Sequence, residues 1–355
     1  MDTKWDLNDI CLIPVEESDI NSRSECNVTQ QFNNDDFLPL FCSPMDTVIS
    51  PNNYKLFINQ GIIPCLPRGI NPNNIPIEKN HYFQAFGLCE IERQLKYEFD
   101  FDNVYLDNDI SCAFFNYPNV LIDIANAHMA KLIPIIKEIK QRWPDMKLMV
   151  GNIANPETFA NLALAGADYI RCGIGLGACC ITSANVSINY PMGSLISECY
   201  KQKIALGLNT KIIADGGMKN YSDIIVSLGL GADCCMCGSI FNKAIESAGF
   251  NYLWKIKINN KTAETLWRWG FPVKKKIRGM STKAVQRNWG KTNLVTAEGI
   301  TKYQKVEYTL EQWTENFKDY LRSAMSYCNA KTLDDFIGKA QYVFISEAAR
   351  RRFEK

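Results

Sequence analysis

Histidine is almost missing from this chain of 355 residues: only His81 and His128 occur. That scarcity speaks against a papain-like hydrolase, since no convincing Cys–His pair can be assembled. It also speaks against zinc, because Cys234, Cys235 and Cys237 lack tetrahedral ligand spacing. Net charge is nearly missing too, at +1, which gives no electrostatic reason to expect nucleic acid or an anionic membrane as partner. No apolar run approaches the ~20 residues of a membrane span. The opening MDTKWDLNDICLIP has no basic stretch leading into an apolar one, as a secretion signal requires. Internal repeats and low-complexity linkers are absent as well. These absences lead to the expectation of a cytoplasmic protein made as a single domain over residues 1–355.

What is present is apolar mass, 46% of residues, and 14 cysteines. Many of the cysteines sit inside strand-like runs (Cys65, Cys172, Cys234, Cys235), as reduced thiols of a cytosolic core would. Short apolar runs bounded by turn residues begin at Phe37, Ile62, Tyr82, Val120, Lys147, Tyr169, Lys211 and Cys234. Most lack alternation, which fits strands covered on both faces. Amphipathic stretches separate several of them: Lys131 to Trp143, a helix opened by Asn155-Pro156, and Ser222 to Leu228 closed by Gly229. Eight strands with helical intervals predict an α/β protein, a (β/α)8 TIM barrel over about residues 37–245. The interval after the third strand is the least distinct. A hairpin excursion, a flap and final helices would fill about 246–355, as a C-terminal extension over the barrel mouth.

Active sites of such barrels lie at the C-terminal ends of the strands. Those ends carry Asp123, Asn152, the loop from Gly173, Asp215-Gly216-Gly217 and Gly238-Ser239. The last two loops occupy the usual phosphate position, where free N–H groups can receive an anion. The stretch Tyr169 to Thr182, YIRCGIGLGACCIT, empties a short strand into three glycines and two cysteines. Alone, it reads as a glycine turn beside two core thiols. At the end of a sixth strand it presents a thiol, and Cys180 and Thr182 fall on similar sides if the loop is extended, with Cys179 facing elsewhere. The loop does not fit the G-x-G-x-x-G dinucleotide fingerprint.

Several motifs in one order carry a resemblance to a family. SPMDTV (Ser43 to Val48), IDIANAH (Ile122 to His128), Gly151-Asn152, AGADYIRCGIGLGACCIT, ADGG (Ala214 to Gly217), GSIF (Gly238 to Phe241), RGMS (Arg278 to Ser281) and AEG (Ala297 to Gly299) occur in turn. Together they resemble the IMP dehydrogenase/GMP reductase family of purine nucleotide enzymes. The resemblance implies Cys180 as nucleophile, with Thr182 and Glu298 as the proton-handling pair. It implies Asp215 on ribose, Gly217, Gly238 and Ser239 at phosphate, Gly279 and Met280 beside the base, and Gly216 and Arg278 as further substrate-binding residues. Asp123, Asn126 and Arg68 would face the cofactor, NADPH. A monovalent cation (K+) held at Gly173, Gly175 and Cys180, and a homotetramer, are implied as well.

The span from Arg68 to Val120 is too short for the regulatory tandem domains of most dehydrogenases. The flap region holds Arg287-Asn288-Trp289 in place of the dehydrogenase Arg-Tyr pair. The resemblance is therefore closest to GMP reductase, with IMP dehydrogenase or a related purine nucleotide oxidoreductase as alternative, and a non-catalytic nucleotide-binding protein as a second one. Leu176, Ala178, Ser183 and Ile277 depart from the family pattern around phosphate. CLPRG (Cys65 to Gly69) lacks the usual histidine, leaving Arg68 as the nearest cation.

Overall fold

The computed structural model describes residues 3–70, 79–97, 114–288, 296 and 298–353. Trp289 of the expected flap and Ala297 of the AEG motif lie outside the described residues. Eight parallel strands form a closed barrel: Leu40–Cys42, Ile63–Leu66, Phe83–Phe86, Asn119–Asp123, Lys147–Ile153, Tyr169–Cys172, Lys211–Asp215 and Cys234–Cys237. They pair in chain order, and the eighth closes on the first with Cys235 opposite Leu40. Each lies within or beside one of the eight apolar runs, so the (β/α)8 expectation holds.

The barrel interior is aromatic and sulfur-rich. Phe41, Cys65, Phe83, Met149, Ile213 and Met236 form its own buried cluster. The lower end is closed by a hairpin, Gln30–Phe32 with Asp35–Phe37, that inserts Phe32 and Phe37 beneath Phe83. Two Gly-Ala-Asp turns fix strand starts from below. Asp168 accepts from the Leu148 N–H at 2.8 Å and from Lys140 Nζ at 3.0 Å. Asp233, 3% exposed, accepts from Ile212 N–H at 2.7 Å and is paired with Lys203 and Lys211.

Helices Leu132–Arg142, Pro156–Leu164 and Tyr221–Leu230 stand where the sequence patterns put them, except that the third runs through Gly229 and is closed by Gly231 at φ 119°. The Asn155 side chain caps the second by accepting from Glu157 N–H at 2.8 Å. Between barrel strands, helices Leu88–Tyr97, Met192–Ala205 and the short Tyr54–Asn59 were not legible. The second buries Gly193 and Ser194 in its first turn, residues that read as loop. A Cβ at Gly193 would strike the Trp5 ring, so packing dictates the glycine there.

After the barrel comes a four-stranded antiparallel sheet. Its hairpin, Asn251–Leu253 with Ile256–Ile258, was expected as an excursion, whereas the helix Asn260–Arg268 within the same stretch was not. Strands Val273–Arg278 and Thr301–Lys305 complete the sheet and flank the chain that returns to the barrel mouth. Finally, strand Tyr342–Phe344 pairs with Ile10–Leu12 near the N-terminus, where Trp5 meets Tyr342 and Phe344. Among the described residues no helix is long and apolar enough to cross a membrane.

Candidate active site

The thiol loop is built by backbone before side chains. After Cys172 the chain turns through Gly173 (φ 133°) and Gly175 (φ 75°), conformations that favour glycine. A Cβ at Gly173 would collide with the Asp215 carbonyl, so the loop after strand six lies hard against the loop after strand seven. Its far end is laced to the returning chain. Ile181 N–H donates to Glu298 O at 2.8 Å, Ile300 N–H to Cys179 O at 2.9 Å, and Gly279 N–H to Ile300 O at 3.0 Å. Lys302 Nζ donates to Ala178 O at 2.9 Å.

This lacing decides which cysteine is presented. Cys179 is 4% exposed, and burial pushes its thiol up, with Lys302 only partly offsetting. Cys180 is half-buried and lines the cleft, its Sγ 3.2 Å from Thr182 Oγ1. Thr182 Oγ1 in turn donates to Glu298 Oε2 at 2.5 Å. A hydroxyl has one proton to give, and here it goes to the carboxylate, so the thiol is the donor on the other side. The three groups form a continuous proton path from Cys180 to Glu298. Glu298 stands behind Thr182, outside the cleft lining.

A second constellation joins three strand ends. Arg171, 6% exposed, donates from Nη1 to Asp123 Oδ1 at 2.7 Å and from Nε and Nη2 to Asp215 Oδ2 at 3.0 and 2.8 Å. Asn152 Nδ2 adds a bond of 2.6 Å to the same Asp215 oxygen. Burial opposes the Arg171 charge, yet the carboxylates of Asp215 and Asp123 outweigh it and hold its pKa above the usual guanidinium value. The three bonds to Asp215 all fall on its Oδ2. Among the described residues none reaches Oδ1, which is left for a ligand hydroxyl. Arg171 escaped the sequence reading; its one signal was a charged residue inside the apolar run YIRCGI.

The cleft has a volume of about 390 Å³, within the range of small-molecule sites. Cys180, Thr182, Asp215, Gly216, Gly217, Gly238, Ser239, Gly279 and Met280 all line it, as do Arg68 and Asp123. Gly216 (φ 91°) and Gly217 (φ 85°) turn their backbone around one end beside Gly238 and Ser239. Ala178 and Ile277 line the cleft without a hydroxyl to offer, while Lys219, exposed and absent from the sequence reading, lines it as well. Arg68 Nε lies 3.5 Å from Asp123 Oδ2, so a cation and a carboxylate are available to a polar cofactor there.

Two expected residues take other work. Arg278 binds Asp46 of the SPMDTV segment and does not line the cleft; it ties the outer sheet to the first barrel loop. Asn126 uses its Oδ1 on the His128 N–H at 3.1 Å and also stays outside the lining. Two of the three residues expected to ring a cation have carbonyls that accept from protein donors: Asn152 Nδ2 reaches Gly173 O at 2.8 Å and Ser183 Oγ reaches Gly175 O at 2.7 Å. These bonds brace the loop, and each carbonyl keeps a second lone pair. Among the described residues no cluster of His, Cys, Asp and Glu suits a metal ion.

A closed (β/α)8 barrel with a thiol, a threonine and a glutamate in line at its mouth and glycine-rich loops beside them has the layout of a barrel enzyme. Comparison with known proteins then becomes specific. The profile described as "IMP dehydrogenase / GMP reductase domain" matches residues 117–354. The chain belongs to the IMP dehydrogenase/GMP reductase family. It is 31% identical over 232 residues to the inosine-5'-monophosphate dehydrogenase of Chlorobaculum parvum, covering 65% of this chain and 46% of that protein. The chain thus spans about half the length of that dehydrogenase. It is 29% identical over 344 residues to the GMP reductase of Lactobacillus delbrueckii, covering 96% of this chain and 94% of the relative. With the GMP reductase of Chromobacterium violaceum the identity is 32% over 250 residues, 70% of this chain and 75% of the other.

Proposed function

We propose that this protein is a GMP reductase-like enzyme, which converts GMP to IMP and ammonia with NADPH as reductant. The observation that carries the reading is the path Cys180–Thr182–Glu298 at the cleft, at 3.2 and 2.5 Å. The near full-length likeness to the Lactobacillus delbrueckii GMP reductase supports it.

Loss of the thiol proton through Thr182 leaves the Cys180 thiolate to attack C2 of the purine. The new C–S bond forms as the exocyclic amine, protonated by the returning Thr182–Glu298 proton, leaves as ammonia. When bound, the nicotinamide cofactor supplies a hydride to C2. Expulsion of the thiolate then gives IMP. Covalent attachment splits a difficult displacement into two easier steps, and a positioned acid–base pair contributes about 10²–10⁴-fold. Asp215 Oδ1 accepts from a ribose hydroxyl, while the backbone at Gly216, Gly217, Gly238 and Ser239 receives the phosphate. Arg68 and Asp123 face the cofactor side.

Two mixtures test the reading through the nicotinamide absorbance. GMP with NADPH should lose absorbance and release ammonia. Gain of absorbance with IMP and NAD, and none with GMP, would make the protein an IMP dehydrogenase. Silence in both mixtures, with either nucleotide bound, would leave a non-catalytic binding protein.

A further inference from the structure

We infer that the outer face of the four-stranded sheet is a binding platform for single-stranded nucleic acid. The near-neutral total hides a strong local excess. Between positions 250 and 305 the chain carries 13 Lys and Arg against two acids, Glu264 and Glu298. Neither acid is on this face: Glu264 pairs with Arg268, and Glu298 binds Thr182.

Register places the charges. One rung across the sheet reads Lys257, Tyr252, Lys274, Lys305. The next sets Lys276 opposite Tyr303, with Phe250 on its other side through the Lys276 N–H to Phe250 O bond of 3.0 Å. Rings and ammonium groups are therefore interspersed over one face, with rungs about 7 Å apart along the strands. Tyr303 and Phe250 are each 55% exposed. The Tyr252 and Tyr303 rings meet edge to face at 5.1 Å, and Lys257 lies 3.3 Å from the Phe250 ring centre. The opposite face is the buried one, where Val273 packs with Ala263 of helix Asn260–Arg268.

Two features ask for an anion. Lys274 and Lys305 stand directly opposite each other, an unfavourable like-charge pair unless something negative lies between them. None of Lys257, Lys274, Lys276 and Lys305 has an ion-pair partner among the described residues. The rings decide what kind of anion: a polyanion alone needs no exposed aromatics, while single strands combine phosphates for the lysines with bases that stack. A duplex would hide its bases from those rings.

Fluorescence anisotropy of a labelled oligouridylate, titrated with the full chain over a range of salt, tests this. Binding is expected at low salt, with a log–log salt slope of about −3 for four lysine contacts. Tyr303→Ala should weaken binding by about 5- to 150-fold and leave the slope unchanged. Lys274→Glu with Lys305→Glu should weaken it and flatten the slope by more than about 1. Thermal melting of each variant checks that it is folded. Absence of binding at low salt overturns the inference. So does a folded Tyr303→Ala that binds like the parent, which would mark plain polyanion adsorption. A Lys274→Glu/Lys305→Glu chain that changes its sedimentation while binding the oligonucleotide normally would assign the face to a second copy, and equally overturns it.

Discussion

At the scale of single residues the two adjacent cysteines make the sharpest contrast. They are neighbours in sequence, yet one is packed under the returning chain and the other opens to the cleft beside Thr182. Cys180→Ala is expected to abolish turnover of GMP with NADPH, while Cys179→Ala keeps it within a few-fold; steady-state kinetics of the two variants decides. Lys219 carries the second residue-scale expectation. The cleft lacks side-chain hydroxyls at Ala178 and Ile277, and Lys219 is a charged side chain on the lining next to the glycine pair. Lys219→Ala should raise KM for the nucleotide by about tenfold with kcat nearly unchanged, in line with loss of one charge-assisted contact of roughly 1.5 kcal/mol. Guanosine, which has no phosphate, should show no such difference.

At the scale of elements, stability turns on a few buried charges that fasten one segment to the next. Asp233 holds the start of the seventh strand and two lysines at once. Asp233→Asn removes the charge and leaves Lys203 facing a neutral partner, so a loss of about 3 kcal/mol in urea unfolding is expected. Lys275 ties the outer sheet to the barrel by donating to Ser247 O at 2.5 Å. Burial lowers its pKa to about 8, against the opposing pull of Glu246. Above about pH 8 the folded chain has shed this proton, while the unfolded chain keeps it up to the ordinary lysine range near 10.5. The unfolded state then binds more protons, so stability rises with pH through that window, and below it the full penalty applies. Relative to Lys275→Met, the parent should therefore gain roughly 2 kcal/mol between about pH 8 and about pH 10, read from urea midpoints.

At the scale of the whole molecule, the two ends of the chain meet beside the first turn of helix Met192–Ala205, where Trp5 packs against Tyr342 and Phe344. Trp5→Ala should cost about 2 kcal/mol and lower the melting temperature while leaving the cleft geometry, and hence KM, unchanged. How much of this was legible follows from the range over which each feature is determined. The eight barrel strands announced themselves because a strand covered on both faces must be apolar throughout, and turns must punctuate it. The glycines and Cys180 were readable because backbone conformation and thiol chemistry are properties of those residues. The helix Met192–Ala205 was not, because its buried glycine answers to Trp5, far away in sequence. Nor could sequence turn Arg278 toward Asp46, place Arg171 between two carboxylates, or have Ser183 and Asn152 cap the loop carbonyls. By itself the sequence determined the barrel, the thiol and the glycine cradle, since each rests on local periodicity or residue chemistry. Only the tertiary structure decided which polar groups meet, because hydrogen bonds and ion pairs between distant segments depend on where packing brings their ends.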